Sequence, residues 1–364
     1  MAGKVFLTGY PGFIAKQLIQ RLALKDPDAH YVFLIQKHLR KTAEEGLAWL
    51  DERVAGLAAR CSLEEGDISK SRLGMSEEAY EQCAKDVSQV WHLAAIYDLA
   101  VPASIAYRVN VIGTANVLDF CEACERFERL DYISTCYVSG DRHGLVLEDE
   151  LDEGQTFKNH YESTKCWAEM EVRRRMDRIK TVIYRPGIVV GDSRTGETDK
   201  YDGPYFLMLL LMRLSNKLPM VNIGRGDARV NLVPVDFLTD AMASIGTNPD
   251  AIGKAVQLAD PNPRSSREIV EGLLDLLDYR KALATVPPPL VSGALRVGLL
   301  RRMVKIPKES VIYFNHEVQY DTMNQRKLLK ETGLACPDLL SYLPTLVDYV
   351  RAHPEKQFLD ERTF

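Results

Sequence analysis

No apolar run in the 364 residues reaches the roughly 18 positions that a membrane-spanning helix needs. A charge excess of one sign is also missing. Lysine plus arginine (46) nearly balance aspartate plus glutamate (51), and a formal net charge of −5 gives no general electrostatic case for nucleic acid. The seven cysteines are scattered without a paired framework, and no signal peptide precedes Lys4, so a reducing cytoplasm is expected. One C-x-x-C occurs, Cys121-Glu-Ala-Cys124, in a stretch of helical character where small buried thiols are ordinary. No second pair completes a zinc site, and no metal is expected. Low-complexity segments and internal repeats are absent. What remains is a chain long enough for a doubly wound domain with a smaller appended lobe.

The positive signals begin at the first turn. Lys4-Val-Phe-Leu-Thr8 is a short apolar run of strand character, followed at once by Gly9-Tyr-Pro-Gly12-Phe-Ile-Ala15. Ile14, Leu18, Ile19 and Leu22 then recur at helical spacing. Strand, glycine turn and helix in that order mark a dinucleotide site. Gly9 permits the tight turn, and Gly12 lets the backbone approach a pyrophosphate at the helix N-terminus. Thr8, Gly9, Pro11, Gly12, Phe13 and Ile14 are therefore the candidate cofactor contacts. At the end of the second strand, an NAD-preferring fold places a carboxylate for the ribose 2′-hydroxyl. Here the segment reads Gln36-Lys37-His38-Leu39-Arg40-Lys41, with no acid, so NADPH/NADP is expected, with Lys37 and Arg40 on its second phosphate.

Downstream, Tyr161-Glu-Ser-Thr-Lys165 places a phenol and an ammonium four residues apart in a segment, 161–176, that reads as helix. Positions i and i+4 share a face, so the spacing predicts a Lys165 cation beside the Tyr161 hydroxyl, favouring the phenolate. Such a pair suits carbonyl/alcohol interconversion.

Along the chain, strands are expected at 31–36, 89–95, 130–135 and 181–184, and helices at 43–59 and 103–126. Alternation of this kind implies an α/β fold, a doubly wound parallel (Rossmann) sheet with helices on both faces. After Gly187 the pattern loosens. A loop at 191–203 leads into an almost wholly apolar stretch, 204–214, and Val233-Pro-Val-Asp-Phe237 starts one more sheet-side helix. The domain boundary is drawn at 245. Residues 1–245 form the nucleotide-binding domain, and 246–364 form a mostly helical C-terminal lobe that covers the substrate, with pieces of 187–232 joining it.

These landmarks resemble the extended short-chain dehydrogenase/reductase family over nearly the whole chain. The signatures stand as Thr8-Gly9-x-x-Gly12-Phe13-Ile14, Gly66-Asp67-Ile68, His92-Leu-Ala94-Ala95, Asn110-Val-x-Gly113-Thr114, Ser134-Thr135-x-x-Val138-x-Gly140, Tyr161-x-x-x-Lys165 and Tyr184-Arg185-Pro186-Gly187. The resemblance implies that Tyr161 is the catalytic acid/base, that Lys165 lowers its pKa and binds the nicotinamide ribose, and that Thr135 hydrogen-bonds the substrate carbonyl oxygen. Ser134 is the fallback for that last role and a substrate-binding candidate. By the same resemblance Asp67 and Ile68 hold the adenine, Ala94 and Ala95 line the cofactor, Asn110 joins its binding set, and Pro186, Gly187 and Ile188 meet the nicotinamide.

Residues 184–191, Thr195-Gly-Glu197, 199–206 and 231–236 are similar to bacterial fatty acyl-CoA and fatty aldehyde reductases. The similarity is greatest to the amino-terminal half of the two-domain alcohol-forming type, and it extends to thioester reductase domains. It implies an NADPH-dependent reductase of lipid metabolism acting on an aldehyde or acyl thioester, and this chain carries one reductase half where those enzymes carry two. Phe206 and Leu210 are the expected apolar wall for the acyl chain. Residues 291–303 mix Val, Leu and Met with Arg296, Arg301 and Arg302, which leaves open a lobe helix, a lid, or contact with a membrane surface, an acyl carrier or coenzyme A phosphates. A hydroxysteroid dehydrogenase and a nucleotide-sugar epimerase share the Tyr/Lys chemistry and remain alternatives. A non-enzymatic dinucleotide sensor would be expected to lack the pair.

Overall fold

The computed structural model describes residues 3–97, 101–214, 221–223, 226–279, 284–286 and 316–354. In chain order the elements of the first half are β1 (Lys4–Thr8), α1 (Phe13–Lys25), β2 (Tyr31–Ile35), α2 (Arg40–Arg53), β3 (Cys61–Glu65), α3 (Glu77–Asp86) and β4 (Val87–His92). Next come α4 (Ala103–Ala106), a π-helical stretch (Tyr107–Ile112), α5 (Gly113–Ala123), β5 (Arg129–Ile133), β6 (Gly144–Val146), α6 (His160–Arg174) and β7 (Thr181–Pro186). The remainder comprises β8 (Ile188–Val190), α7 (Pro204–Arg213), β9 (Val221–Ile223), β10 (Leu232–Pro234), α8 (Val235–Ile245), β11 (Ala255–Leu258) and α9 (Ser266–Leu276). β12 (Ala284–Val286), β13 (Val318–Tyr320), α10 (Met323–Leu329) and α11 (Leu339–Ala352) complete the described part.

Seven strands form one parallel sheet in the order β3-β2-β1-β4-β5-β7-β11. A parallel sheet covered on both faces needs strands that are apolar throughout. β2, Tyr-Val-Phe-Leu-Ile, is buried at every position, as are β5, β7 and β11. One core packs α1, α2 and α8 on the sheet through Leu18, Ile19, Leu50, Leu238 and Met242. The other packs α3, α5 and α6 through Cys83, Leu118, Phe120 and Val172, and there Cys121 and Cys124 serve as small apolar side chains. A third core, away from the sheet, joins Tyr205, Met208, Leu209 and Leu211 of α7 to Leu273 of α9 and to Leu343, Leu346 and Val350 of α11.

The boundary expected at 245 cuts this arrangement. β11 lies beyond it yet pairs with β7 and completes the sheet, and Leu328 and Leu329 of α10 pack into the first core. Ala255-Val-Gln-Leu258 is too short to declare itself a strand; the open edge of β7 makes it one. β3 was likewise not expected, because an edge strand with one paired neighbour needs few apolar residues, and Leu63 is its one large aliphatic. The helix expected over 103–126 ends at Ala123 and holds the π-helical stretch within it. The strand expected to 95 ends at His92, which frees Leu93, Ala94 and Ala95 to cross the C-terminal edge of the sheet. Residues 291–303 lie outside the described residues.

Candidate active site

The expected cofactor residues gather where β1 and β4 diverge, at the C-terminal edge where the strand order reverses. Open α/β sheets bind ligands in that crevice. Gly9 has φ +91°, and a Cβ there would stand 2.8 Å from the Ala94 nitrogen. A Cβ on Gly12 would stand 2.7 Å from the Gly9 carbonyl oxygen. Tyr10 turns inward, stacks on Phe33 and donates its hydroxyl to the Ala43 carbonyl (2.8 Å), which ties the turn to α2. The α1 N-terminus has no side-chain cap and no acidic residue in its first turn, so its amides suit a pyrophosphate. On the adenine side, Asp67 accepts from the Ser69 amide (2.9 Å), while Ile68 packs on Gly113 and gives its carbonyl to Asn116 (2.7 Å).

The end of β2 is exposed at Gln36, Lys37 and His38. Arg40 is engaged there: its Nε donates to Glu65 (2.8 Å), and Glu44 is 3.8 Å away. Sequence reading found no acid in this segment. Glu65 arrives from the neighbouring strand, where it is in register with Ile35.

α6 starts at Asn159, whose side chain caps the Glu162 amide (3.0 Å), and its first turns present Tyr161 and Lys165. The Tyr161 phenol lies beside the Thr135 side chain. Burial pushes this phenol above its ordinary value, against the lowering effect of Thr135. The expected bond from Lys165 to Tyr161 is not made. Nζ donates instead to the Tyr132 phenol oxygen (3.0 Å) and to the Ile133 carbonyl (2.7 Å). Burial pushes the Lys165 ammonium down to about 7, with Glu169 opposing. The spacing argument neglected desolvation, which acts on both groups and disfavours both charged forms.

Thr135 and Ser134 separate cleanly. Ser134 donates to Glu169 (2.6 Å) and belongs to a buried cluster in which Arg185 binds the same carboxylate (2.7 Å). Adjacent residues of an extended chain point to opposite sides, and the Ser134 hydroxyl is spent on Glu169. Asn110, within the π-helical stretch, accepts from the Ile96 amide (2.9 Å) and donates to Thr164 (3.0 Å), holding the 94–97 loop against α6.

Past β7, Gly187 donates to the Leu258 carbonyl (3.1 Å) and Ile188 to the Asn231 carbonyl (2.9 Å). A Cβ on Gly187 would stand 2.8 Å from both oxygens of Asn231. Asn231 in turn exchanges two hydrogen bonds with the Asp260 backbone, 2.9 and 2.8 Å. α7 begins against this segment: Gly203 approaches Ile188, and the Tyr205 hydroxyl accepts from the Gly191 amide (2.8 Å). Phe206 and Leu210, four residues apart, are half-buried and stand outside the third core that holds their neighbours.

Tyr97 was not singled out from the sequence. Its ring meets that of Tyr161 edge-on at 5.1 Å, and Lys200 lies over its face at 4.7 Å. Its one sequence signal is its place two residues after Ala95. Asn231 and Tyr132 were also missed, since neither type is diagnostic without its neighbour.

Residues 7–242 match the family described as Male sterility protein, an NAD(P)-binding family, and the chain belongs to it. An aldehyde reductase of Aspergillus flavus is 28% identical over 295 residues, which is 76% of this chain and 28% of that protein. L-2-aminoadipate reductase of Saccharomyces cerevisiae is 28% identical over 269 residues, 67% of this chain and 19% of that one. The chain thus spans about a quarter of the length of the first curated relatives it matches. Among solved structures, the terminal R domain from the myxalamid pathway has a TM-score of 0.80 at 23% identity, covering 97% of this chain and 92% of that one. UDP-glucuronic acid 4-epimerase from Bacillus cereus, in complex with NAD, has a TM-score of 0.67 at 19% identity, covering 98% and 99%. These structures share the fold, that of the extended short-chain dehydrogenases/reductases. The two curated relatives above are both named for reductions, of an aldehyde and of L-2-aminoadipate.

Proposed function

From membership of that family, we propose that the chain is a reductase that acts on a fatty acyl carbonyl compound, an aldehyde or an acyl thioester, at the expense of NADPH. The observation that supports the reading is the nearness of Thr135 to the Tyr161 phenol, with the apolar helix α7 starting against Ile188. NADPH supplies the hydride when bound. Thr135 and Tyr161 both address the substrate oxygen: Thr135 donates to the developing oxyanion and Tyr161 delivers the proton. Burial keeps the phenol protonated, which is the form a reduction requires. Lys165, down at about 7 in this environment, regains its charge beside an anionic cofactor and stabilises the phenolate left behind. An aldehyde then yields a primary alcohol. A thioester yields a hemithioacetal that collapses to aldehyde and thiol. Lys37 and Arg40 are assigned to the 2′-phosphate, with Arg40 leaving its ion pair with Glu65.

An NADPH-consumption screen across acyl-CoAs, fatty aldehydes, ketosteroids and UDP-sugars tests the proposal. Turnover is expected with the acyl compounds; activity confined to steroids or sugars overturns it. In the same assay, Lys37→Ala with Arg40→Ala should erase the preference of kcat/KM for NADPH over NADH. An unchanged preference removes both residues from the phosphate site.

A further inference from the structure

Lys165 has three N–H donors, and the structure uses two of them inside the protein. One goes to the Ile133 carbonyl (2.7 Å), an oxygen that can only accept. The other goes to the Tyr132 hydroxyl oxygen (3.0 Å), which accepts it. Where the phenol's own proton goes follows from the groups behind it.

Thr114 gives its single hydroxyl proton to the Asn110 carbonyl at 2.6 Å. With that proton committed, Thr114 Oγ1 can only accept. His92 Nε2 lies 3.0 Å from it and must carry a hydrogen. Burial, with the Lys165 charge nearby, holds the imidazole pKa down to about 3, so the ring is neutral and its Nδ1 is bare. Thr8 Oγ1, at 2.7 Å from Nδ1, therefore donates to it, and its own lone pair receives the Ala94 amide (3.2 Å). The Tyr132 phenol also faces Thr114. Lys165 Nζ donates to the phenol oxygen, so the phenol's own proton is left for another acceptor, and Thr114, which only accepts, is beside it. Tyr132, His92 and Thr114 are all buried, so water does not interrupt the order.

We propose that Tyr132 is the positioning residue of the catalytic lysine. Its phenol oxygen and the Ile133 carbonyl fix two N–H groups of Lys165 and aim the third toward the cofactor ribose. Thr114, next to the phenol, is tied through His92 to Thr8 at the glycine turn. The inference rests on the role given to Lys165 above, and it adds a residue that the Tyr/Lys spacing does not contain. The turn that receives the pyrophosphate and the lysine that meets the ribose are thereby registered by one proton order.

The test compares Tyr132→Phe with wild type in the intact chain, alone and in a Lys165→Ala background. NADPH affinity is read by fluorescence titration, which needs no turnover, and kcat by NADPH consumption. Tyr132→Phe is expected to weaken NADPH binding several-fold and to lower kcat roughly ten-fold, the scale of one hydrogen bond to a charged group. It should also move the alkaline limb of kcat/KM to lower pH. The groups facing Lys165 are Tyr132 from β5, His92 from β4, and Glu169 and Tyr161 from its own helix. Of these, His92 and Glu169 stay in place in the variant. With Lys165 already replaced, Tyr132→Phe should add nothing to either readout. Thr114→Val should reproduce part of the effect with the phenol intact, and Thr114→Ser should restore wild-type behaviour. Equal losses in both backgrounds, or a wild-type pH limb and affinity in Tyr132→Phe, overturn the inference and leave the reductase reading standing. A wild type that binds no NADPH overturns both.

Discussion

Ser134 and Thr135 are chemically alike, adjacent and both buried, yet Ser134 is bonded to Glu169 while Thr135 lies beside Tyr161, and the proposed mechanism uses only Thr135. Thr135→Val should lower kcat by roughly 10²–10³, the cost of one oxyanion donor. Ser134→Ala should leave kcat within a few-fold but reduce stability by about 1–3 kcal/mol, because the Glu169 carboxylate loses a buried donor. Steady-state kinetics beside denaturant unfolding separates the two; the opposite pattern would exchange their roles. Tyr161→Phe should cost about 10²–10⁴ in kcat while sparing NADPH affinity. Near-normal turnover in that variant removes Tyr161 from the mechanism. Lys165 permits a test by pH. Its ordinary value of 10.5 falls to about 7 in the folded chain. Between those values the unfolded chain holds a proton that the folded chain has lost, so this group's contribution makes folding more favourable as pH rises through that window. Below it both states are charged and the full cost of burial applies. Lys165→Met should therefore be more stable than wild type near pH ~6, with the gap closing toward pH ~10; a gap flat across that range contradicts the shift. The Tyr161/Lys165 spacing and the glycine turn can be read from the sequence as motifs because each is local. Tyr132, His92 and Thr114 acquire meaning only when β4, β5 and α5 are brought together.

At the scale of elements, the stretch 204–214 announces an apolar helix but not which face is covered. Tyr205, Met208, Leu209 and Leu211 enter the third core, and that choice leaves Phe206 and Leu210 as the half-buried pair. If this pair forms the acyl wall, each buried methylene should contribute roughly 0.8 kcal/mol. Four further carbons could then raise kcat/KM by up to ~200-fold. A series from butanal to dodecanal should show that rise in wild type and lose it in Leu210→Asp. A flat wild-type series would sink the wall. The π-helical stretch that holds Asn110 was invisible beforehand, since one displaced turn leaves no mark on composition or apolar periodicity. Such turns recur at functional sites, and here the stretch lets Asn110 bridge Ile96 and Thr164.

For the whole molecule, strand–helix alternation revealed the parallel sheet, while β3 escaped because it carries little apolar signal and β11 because four residues are too few to show a period. The missed β11 is what misplaces the domain boundary. A chain ended at Asp250 lacks β11 and α10, and so exposes the β7 edge and strips Val256, Leu258, Leu328 and Leu329 from the first core. It should give no cooperative unfolding transition by circular dichroism; a sharp transition would restore an independent domain ending near 245. Four buried aliphatics at ~1.5–3 kcal/mol each approach the ~5–15 kcal/mol by which a domain is stable.

The third core is assembled from distant stretches of chain, because α7 is covered by α11, whose first residue follows the last of α7 by more than a hundred positions. During synthesis at ~5–20 residues per second, the buried face of α7 leaves the ribosome several seconds before any of α11 exists. For that interval Tyr205, Met208, Leu209 and Leu211 lack the cover that α11 supplies, so the nascent chain is most open to chaperone capture and to self-association between α7 and α11.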